Sequence, residues 1–502
     1  MSAKSWTVRV CGAASFAALV ACRLATPSYG GVAPVGIEFH VNMFTRGSQS
    51  YPDVARGVDN GFIIVWDGPR MNPDENNVVG IHGQRFRYDG RKSGTEFNVD
   101  TSASQDRYND VSPSVGVSSD GRFVVVWDAP YGQDGSYDGV FAQRYDKDGE
   151  KTGTQFVVPS YVLYSQLGSK VLANSDGSFV VSWNDSGGLL GQPARGIVAQ
   201  RFNGDGKRVG TEFFLADQGA NFPSGRSLKR AAGRGLLAAW REFNRDGSGL
   251  GVIARGFNAD GSPATDEQVA NVYTTGDQNH PDLAAFADGS AVVVWDSVAQ
   301  DGSSRGIYGR FLDAVGQPVG TEFQINRYTT GDQQSPLVTS LDTGGFVVVW
   351  SSYGQDANDG KPGVFGRRYS ADRVADATEF QANSYTTGYQ GSDFDGVGIA
   401  ALDGGRFVVT WHGLGPAQEE DTPNWAIFAR LFIADGQCGD VDGDGTSDST
   451  DALIAIRGAV GARFCATCLC DANGDGTVTA TDALRVLQAA VGMSVSLQCG
   501  AC

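Results

Sequence analysis

The chain has 502 residues and a formal net charge of −18 at pH 7. Such an acidic protein repels phosphate backbones, so nucleic acid is excluded as a partner, whereas an exported protein that attracts cations fits this charge. Glycine contributes 69 residues, about twice the usual share, which predicts many tight turns rather than long helices.

The N-terminal residues predict export. Lys4 and Arg9 precede an apolar run at residues 10–21, which is too short to span a bilayer but has the length of a signal-peptide core. The run ends in Leu-Val-Ala-Cys22, which resembles the lipobox of bacterial lipoproteins and implies lipidation of Cys22. The alternative is an ordinary signal peptide over residues 1–22, with Cys22 incidental. We expect an extracellular or cell-surface protein, as an outer-membrane lipoprotein if Cys22 is lipidated, which would be its sole membrane contact.

A strand-like run that ends in tryptophan recurs seven times between residues 36 and 437. Each copy is surrounded by the same cues in the same order: an Asp-Gly type turn, the Trp run, a Gly-rich loop, a second β-branched run, another turn and a Glu-Phe run. Four short runs separated by turn residues predict four antiparallel strands. Repeats of this kind indicate propeller blades, and the region resembles a bacterial seven-repeat β-propeller. The tryptophans are Trp66, Trp127, Trp183, Trp240, Trp295, Trp350 and Trp411.

The Glu-Phe runs predict how the ring closes. One run, Glu38-Phe39, precedes the first Trp run, and none follows the seventh. If the Glu-Phe run is the outer strand of a blade, the last blade lacks a strand that the Glu38 run can supply. A linear stack of sheets needs no donated strand, so this count favours a closed seven-bladed propeller over a β-solenoid.

No catalytic signature is present in the repeats. Residues that recur in every unit are most simply explained by folding, and the four histidines have no metal-ligand spacing. A recurrent Tyr-Thr-Thr-Gly-Asp-Gln segment carries Asp277 and Asp332, which are candidates for binding cations or sugar hydroxyls. We therefore expect a binding or scaffold propeller without catalytic residues.

Two irregular segments, residues 72–77 and 417–425, interrupt the first and last units. The second segment holds Glu419 and Glu420 beside Trp425. A glycosidase needs two carboxylates about 5–9 Å apart, so these residues support the alternative of a glycoside hydrolase or cellulosome-like component of polysaccharide catabolism. The other interpretation is a solvated linker, because the segment contains proline and adjacent acidic residues.

Two twelve-residue segments near the C-terminus share one pattern, with oxygen-bearing side chains at positions 1, 3, 5 and 12 and glycine at position 6. Calcium takes six to eight oxygen ligands, and a loop bent at glycine aims alternate side chains at one ion. The sequence therefore predicts two Ca²⁺ ions. The first set of ligands is Asp440, Asp442, Asp444, the Thr446 carbonyl, Asp448 through water, and Asp451; the second set is Asp471, Asn473, Asp475, the Thr477 carbonyl and Asp482.

Each loop is followed by one amphipathic helix, and no helix precedes the first loop. A duplicated loop and helix with Asp at position 12 resembles a type I dockerin domain, which we expect over residues 438–502. The resemblance implies docking onto cohesin modules through loop positions 10 and 11. Here those positions hold Ser449 and Thr450 in the first loop, and Ala480 and Thr481 in the second. The second pair departs from the family pattern, which argues against symmetric docking.

Six of the eight cysteines lie in this C-terminal region. A domain this small gains stability from cross-links, and an exported chain favours oxidised cysteine. Six cysteines allow 15 connectivities, among which the sequence does not choose. The alternative is a zinc site formed by Cys465-x-x-Cys468 and Cys499-x-x-Cys502.

These features together predict an all-β seven-bladed propeller followed by a small α-helical calcium-binding domain. We expect an exported calcium-binding protein whose dockerin-like module serves calcium-dependent stabilisation or docking. The expected partner is a cohesin-like protein or a glycan.

Overall fold

The computed structural model describes residues 31–45, 47–69, 79–100, 112–129, 134–135, 137–186, 196–216, 223–231, 235–356, 360–391, 396–415, 424–434, 439–441, 447–460, 465, 467–493 and 495–499. The predicted signal peptide with Cys22 and the acidic pair Glu419 and Glu420 lie outside these residues.

Seven four-stranded antiparallel sheets form a propeller, as the repeats predicted. Blades one to three contain β2 (Ser50–Arg56), β3 (Phe62–Pro69), β4 (Val79–Phe86), β5 (Lys92–Asn98), β6 (Ser114–Val117), β7 (Phe123–Ala129), β8 (Gly139–Tyr145), β9 (Lys151–Val157), β10 (Gln166–Ala173), β11 (Phe179–Asp185), β12 (Gly196–Phe202) and β13 (Arg208–Ala216). Blades four to six contain β14 (Ser224–Ala231), β15 (Gly235–Phe243), β16 (Leu250–Asn258), β17 (Gln268–Val269), β18 (Gln278–Ala285), β19 (Ala291–Val298), β20 (Arg305–Leu312), β21 (Pro318–Gln324), β22 (Gln333–Ser340), β23 (Phe346–Tyr353), β24 (Pro362–Tyr369) and β25 (Phe380–Gln381). Blade seven contains β26 (Val397–Ala401), β27 (Arg406–Gly413), β28 (Ala426–Ala434) and the N-terminal strand β1 (Val32–His40).

The first strand of each blade lines the central axis. Each of these strands contacts the first strand of the next blade, and β26 of blade seven contacts β2 of blade one. The ring is therefore closed.

The closing strand is β1, as the count of Glu-Phe runs predicted. It pairs antiparallel with β28 as the outer strand of blade seven. The Glu38 carboxylate accepts hydrogen bonds from Ser384 N (2.6 Å) and Ser384 Oγ (2.8 Å) in blade six. Glu322 of blade five makes the same kind of contact with blade four, accepting from Val272 N at 2.6 Å. The N-terminal strand β1 thus makes the same contact with the preceding blade as the outer strand of blade five, which is continuous in sequence with the rest of its blade.

The seven repeated tryptophans form the core of the blades. All lie on second strands and are at most 2% exposed, which confirms their role as core residues. Trp66 Nε1 donates to Gln49 Oε1 (3.0 Å) and Trp411 Nε1 to Gln390 Oε1 (3.1 Å). In blades one and seven, a buried glutamine that precedes the first strand thus satisfies the buried indole N–H.

Three helices follow the propeller: α1 (Ser449–Ala459), α2 (Thr467–Cys470) and α3 (Ala480–Ala490). Helices α1 and α3 contact each other. Cys465 and Cys470 form a disulfide, and Cys499 is disulfide-bonded as well. The zinc alternative is therefore wrong for Cys465 and Cys499.

The helical domain packs directly on the propeller. Ala33 of β1 and Ile433 of β28 share one buried cluster with Val441, Ile454 and Leu469. The outer edge of blade seven is thus covered by the C-terminal domain. No helix within the described residues has the length and apolar character needed to cross a bilayer.

Candidate functional site

The second predicted calcium loop is described throughout. Asp471, 2% exposed, accepts backbone hydrogen bonds from Gly474 (2.9 Å), Asp475 (3.1 Å) and Gly476 (2.7 Å). Gly476 has φ +89°, which suits the glycine predicted at position 6. The loop is therefore wound around the carboxylate of its first position.

The last position of this loop joins it to helix α3. Asp482 is fully buried, and its carboxylate accepts from Asn473 N (3.0 Å), Thr479 N (2.8 Å) and Thr479 Oγ1 (2.8 Å). Thr479 and Asp482 form the capping box of α3. One carboxylate thus closes the loop and begins the helix.

The first loop repeats this arrangement where it is described. Asp451 is fully buried and accepts from Val441 N (2.6 Å) and Asp448 N (2.8 Å). Asp448 and Asp451 form the capping box of α1, and Asp440 is 3% exposed. The predicted ligands Asp442, Asp444 and Thr446 lie outside the described residues.

The chemistry of the second loop fits a divalent cation. Asp471 and Asp482 are buried carboxylates, and no Lys or Arg of the described residues pairs with them. Buried negative charge without a cation is costly, and carboxylate, amide and carbonyl oxygens are the ligands that calcium prefers. Across the described residues, no three His, Cys, Asp or Glu side chains are arranged around a common point. Asn473 Nδ2 instead donates to Asp475 Oδ2 (2.9 Å), so a bound ion would replace this contact.

The amphipathic helices turn their large apolar residues outward. The buried apolar residues are Ala452, Ile454 and Ala455 in α1, and Ala483 and Val486 in α3. The exposed positions are equivalent in the two helices and their C-caps: Leu453 (46% exposed) and Ile456 (44%) in α1 with Val460 (71%) at its C-cap, and Leu484 (53%) and Leu487 (38%) in α3 with Val491 (65%) at its C-cap. Helical periodicity in the sequence places these apolar residues on one face of each helix, but it does not show that the face is exposed. The one sequence signal for exposure is that both helices repeat the face with the same spacing.

The predicted docking residues lie beside these apolar faces. Ser449 and Thr450 are the first two residues of α1, and Ala480 and Thr481 are the first two of α3. All four are exposed. Each helix therefore presents a docking pair and an apolar face.

The recurrent loops of the propeller hold the blades together. Asp277 accepts from Leu250 N (2.9 Å), and Asp332 accepts from Ser304 Oγ (2.5 Å). Both carboxylates therefore have structural partners. Trp425 is half-buried, with its ring stacked on that of His412 at 4.4 Å between centroids.

Residues 438–489 match the family model of the dockerin type I domain. The C-terminal region is thus a dockerin type I domain, as the loops predicted. Domains of this family bind calcium, typically dock onto cohesin partners and typically occur in extracellular or cell-surface proteins.

Several solved structures resemble the propeller, but the similarity is distant. They include a protein of unknown function from Dyadobacter fermentans (9% identity, 80% of this chain and 99% of that chain, TM-score 0.44), an α-L-arabinanase from Penicillium chrysogenum (14%, 80% and 98%, 0.41) and an ulvan lyase (8%, 82% and 96%, 0.47). All three TM-scores are below 0.5. No curated protein matches the sequence.

Proposed function

We propose that this chain is an exported protein that docks, in a calcium-dependent manner, onto a cohesin-bearing partner. In this proposal two Ca²⁺ ions fill the two loops, and the propeller is a non-catalytic binding module carried by the docked domain. The observation that carries it is the pair of exposed apolar faces on α1 and α3.

The exposed faces have the chemistry of a protein interface. Apolar side chains such as Val460 and Val491, 71% and 65% exposed, are unfavourable in water, and grouped exposure of this kind marks interaction sites. The faces adjoin Ser449 and Thr450, the residues that match the recognition pair of the family. Because the second pair contains Ala480, we expect α1 to dominate binding.

Calcium would orient these faces through the helix starts. Asp451 and Asp482 each serve as loop position 12 and as the third residue of a helix. An ion bound by either carboxylate would fix the first turn of that helix, where the docking residues lie. Docking should therefore fail when calcium is removed.

The test is binding of the full chain to immobilised type I cohesin modules, measured by surface plasmon resonance in calcium and in EGTA. Leu453→Asp with Ile456→Asp should weaken calcium-dependent binding about 30-fold or more, because charges enter an apolar contact. Leu484→Asp with Leu487→Asp should weaken it less. The control is Leu163→Asp on the propeller, where the side chain is equally exposed at 52%. Unchanged binding by the α1 variant would refute the docking face.

A separate assay addresses the non-catalytic role. We expect no turnover of plant or bacterial polysaccharides by the full chain. Turnover that Glu419→Gln or Glu420→Gln abolishes would establish the alternative of a glycoside hydrolase.

A further inference from the structure

One loop of the propeller exposes several large apolar side chains. The loop joins the outer strand β9 of blade two to the first strand β10 of blade three. It holds Leu163, 52% exposed, and Tyr164, 54% exposed. Leu167, the second residue of β10, is 40% exposed. Three apolar side chains within five residues therefore face water at the end of the ring where the first strands begin.

A second tyrosine lies beside this loop. The Gln166 N–H donates to the carbonyl of Asp138 at 2.8 Å, which brings the connection between β7 and β8 of blade two against the loop. Tyr137, the residue before Asp138, is 50% exposed. Two tyrosines and two leucines thus lie close together, and we call them the tyrosine patch: Tyr137, Leu163, Tyr164 and Leu167.

The backbone of Tyr164 departs from the other copies of this loop. A buried glutamine recurs at or just before the first strand, as Gln166 does here, and Tyr164 lies two residues before it. Tyr164 has φ +70°. In the four other loops where the structure describes this position, the residue is a glycine with φ between +70° and +76°: Gly47, Gly276, Gly331 and Gly388. A left-handed conformation strains a bulky residue and not a glycine. The fold therefore does not explain a tyrosine here, and backbone outliers of this kind are found at functional sites.

The two leucines depart from the other copies in the same way. The position of Leu163 holds threonine in three of the other loops, at Thr275, Thr330 and Thr387. The position of Leu167, directly after the glutamine, holds polar residues or glycine in them, at Ser50, Asn279, Gln334 and Gly391. An exposed apolar side chain adds nothing to the core, and grouped exposure of this kind marks an interaction site.

We propose that the tyrosine patch binds an uncharged oligosaccharide, whose sugar rings stack on Tyr137 and Tyr164. A sugar ring has an apolar C–H face and hydroxyl groups at its edge, and tyrosine likewise combines an apolar ring face with a hydroxyl group. None of the four side chains carries a charge, so the patch offers no ion pair to an acidic or a basic ligand.

The size of the patch favours a small ligand over a protein. Four half-exposed side chains present on the order of a few hundred Å², whereas a stable protein interface needs about 800 Å² from each partner. The proposal names a ligand class for the propeller and rests on the binding role proposed above.

The test is isothermal titration of the full chain, in calcium-containing buffer, with cellohexaose, xylohexaose and mannohexaose. We expect at least one of the three to bind, and Tyr137→Ala and Tyr164→Gly each to weaken that binding about tenfold or more, because each removes one stacking ring. Tyr88→Ala is the matched control, since Tyr88 is 43% exposed and follows β4 at the opposite end of the ring; its affinity should equal that of the wild type. No binding of any of the three up to about 10 mM, or wild-type affinity in both tyrosine variants, would overturn the proposal.

The Tyr164→Gly variant separates ligand binding from folding. Glycine adopts φ +70° without strain, and four other loops have it at this position, so the variant should retain the Tm of the wild type while it binds the sugar more weakly. A fall in Tm together with weaker binding would assign Tyr164 to the fold and refute its role in binding. Cohesin binding should be unchanged in both tyrosine variants, so a failure of this site would leave docking intact.

Discussion

Replacing the first ligand of each calcium loop should abolish the stabilisation of the C-terminal domain by calcium. The variant is Asp440→Asn with Asp471→Asn, which removes one carboxylate from each predicted site. In the second loop, Asp471 Oδ2 accepts from Gly476 N at 2.7 Å, and an asparagine places at most one acceptor oxygen there. Losing this charged hydrogen bond should cost about 2 kcal/mol even without calcium.

The double variant should also lose the stabilisation that bound calcium gives the folded domain. At a free calcium concentration of 100 times the Kd of a site, binding stabilises the folded state by about 2.7 kcal/mol. For a domain of this size, that corresponds to a rise in Tm of roughly 10 to 20 °C for each ion. The wild type should therefore show a large difference in Tm between calcium and EGTA, and the double variant should show none.

Differential scanning calorimetry of the full chain measures both effects. Asp440→Asn and Asp471→Asn, tested singly, should each retain part of the calcium response, because each leaves one predicted site intact. Two partial responses would indicate two separate ions. Asp148→Asn is the control, because this carboxylate is 68% exposed on the propeller. A calcium response in the double variant equal to that of the wild type would show that these loops do not bind the ion.

Two further predictions concern the seam of the ring and the disulfides. Glu38→Ala removes the acceptor for both hydrogen bonds of Ser384 and should destabilise the propeller by about 2 kcal/mol; an unchanged midpoint in guanidinium unfolding would contradict this. Peptide mapping without reduction should recover Cys465 linked to Cys470, a closure worth about 2 kcal/mol by loop entropy. Recovery of Cys465 linked to any other cysteine would disprove the pairing.

The repeats made the propeller predictable, including its closure. A strand count along the chain identified the missing outer strand of blade seven, and β1 fills it. The buried tryptophans were equally predictable, because a residue that recurs in every unit serves the fold. The dockerin domain was predictable because its loops carry oxygen-bearing side chains at fixed positions along the chain.

The surfaces of the elements were less predictable. Periodicity indicates that Leu453 and Leu484 share a helix face with other apolar residues, but not what covers that face. The core side of α1 and α3 consists of alanines with one larger apolar residue each, Ile454 and Val486, and the other large apolar side chains are exposed.

The position of the C-terminal domain has a mechanical consequence. Val32 at the start of β1 pairs with Ala434 at the end of β28, so the chain enters and leaves the ring at neighbouring points. A force pulling these two points apart would load the backbone hydrogen bonds of the seam one pair at a time, the weakest direction for an antiparallel ribbon. Ala33 and Ile433, the next pair along the seam, lie under the helical domain. By packing on this end of the seam, the C-terminal domain should therefore resist separation of β1 from β28 under tension.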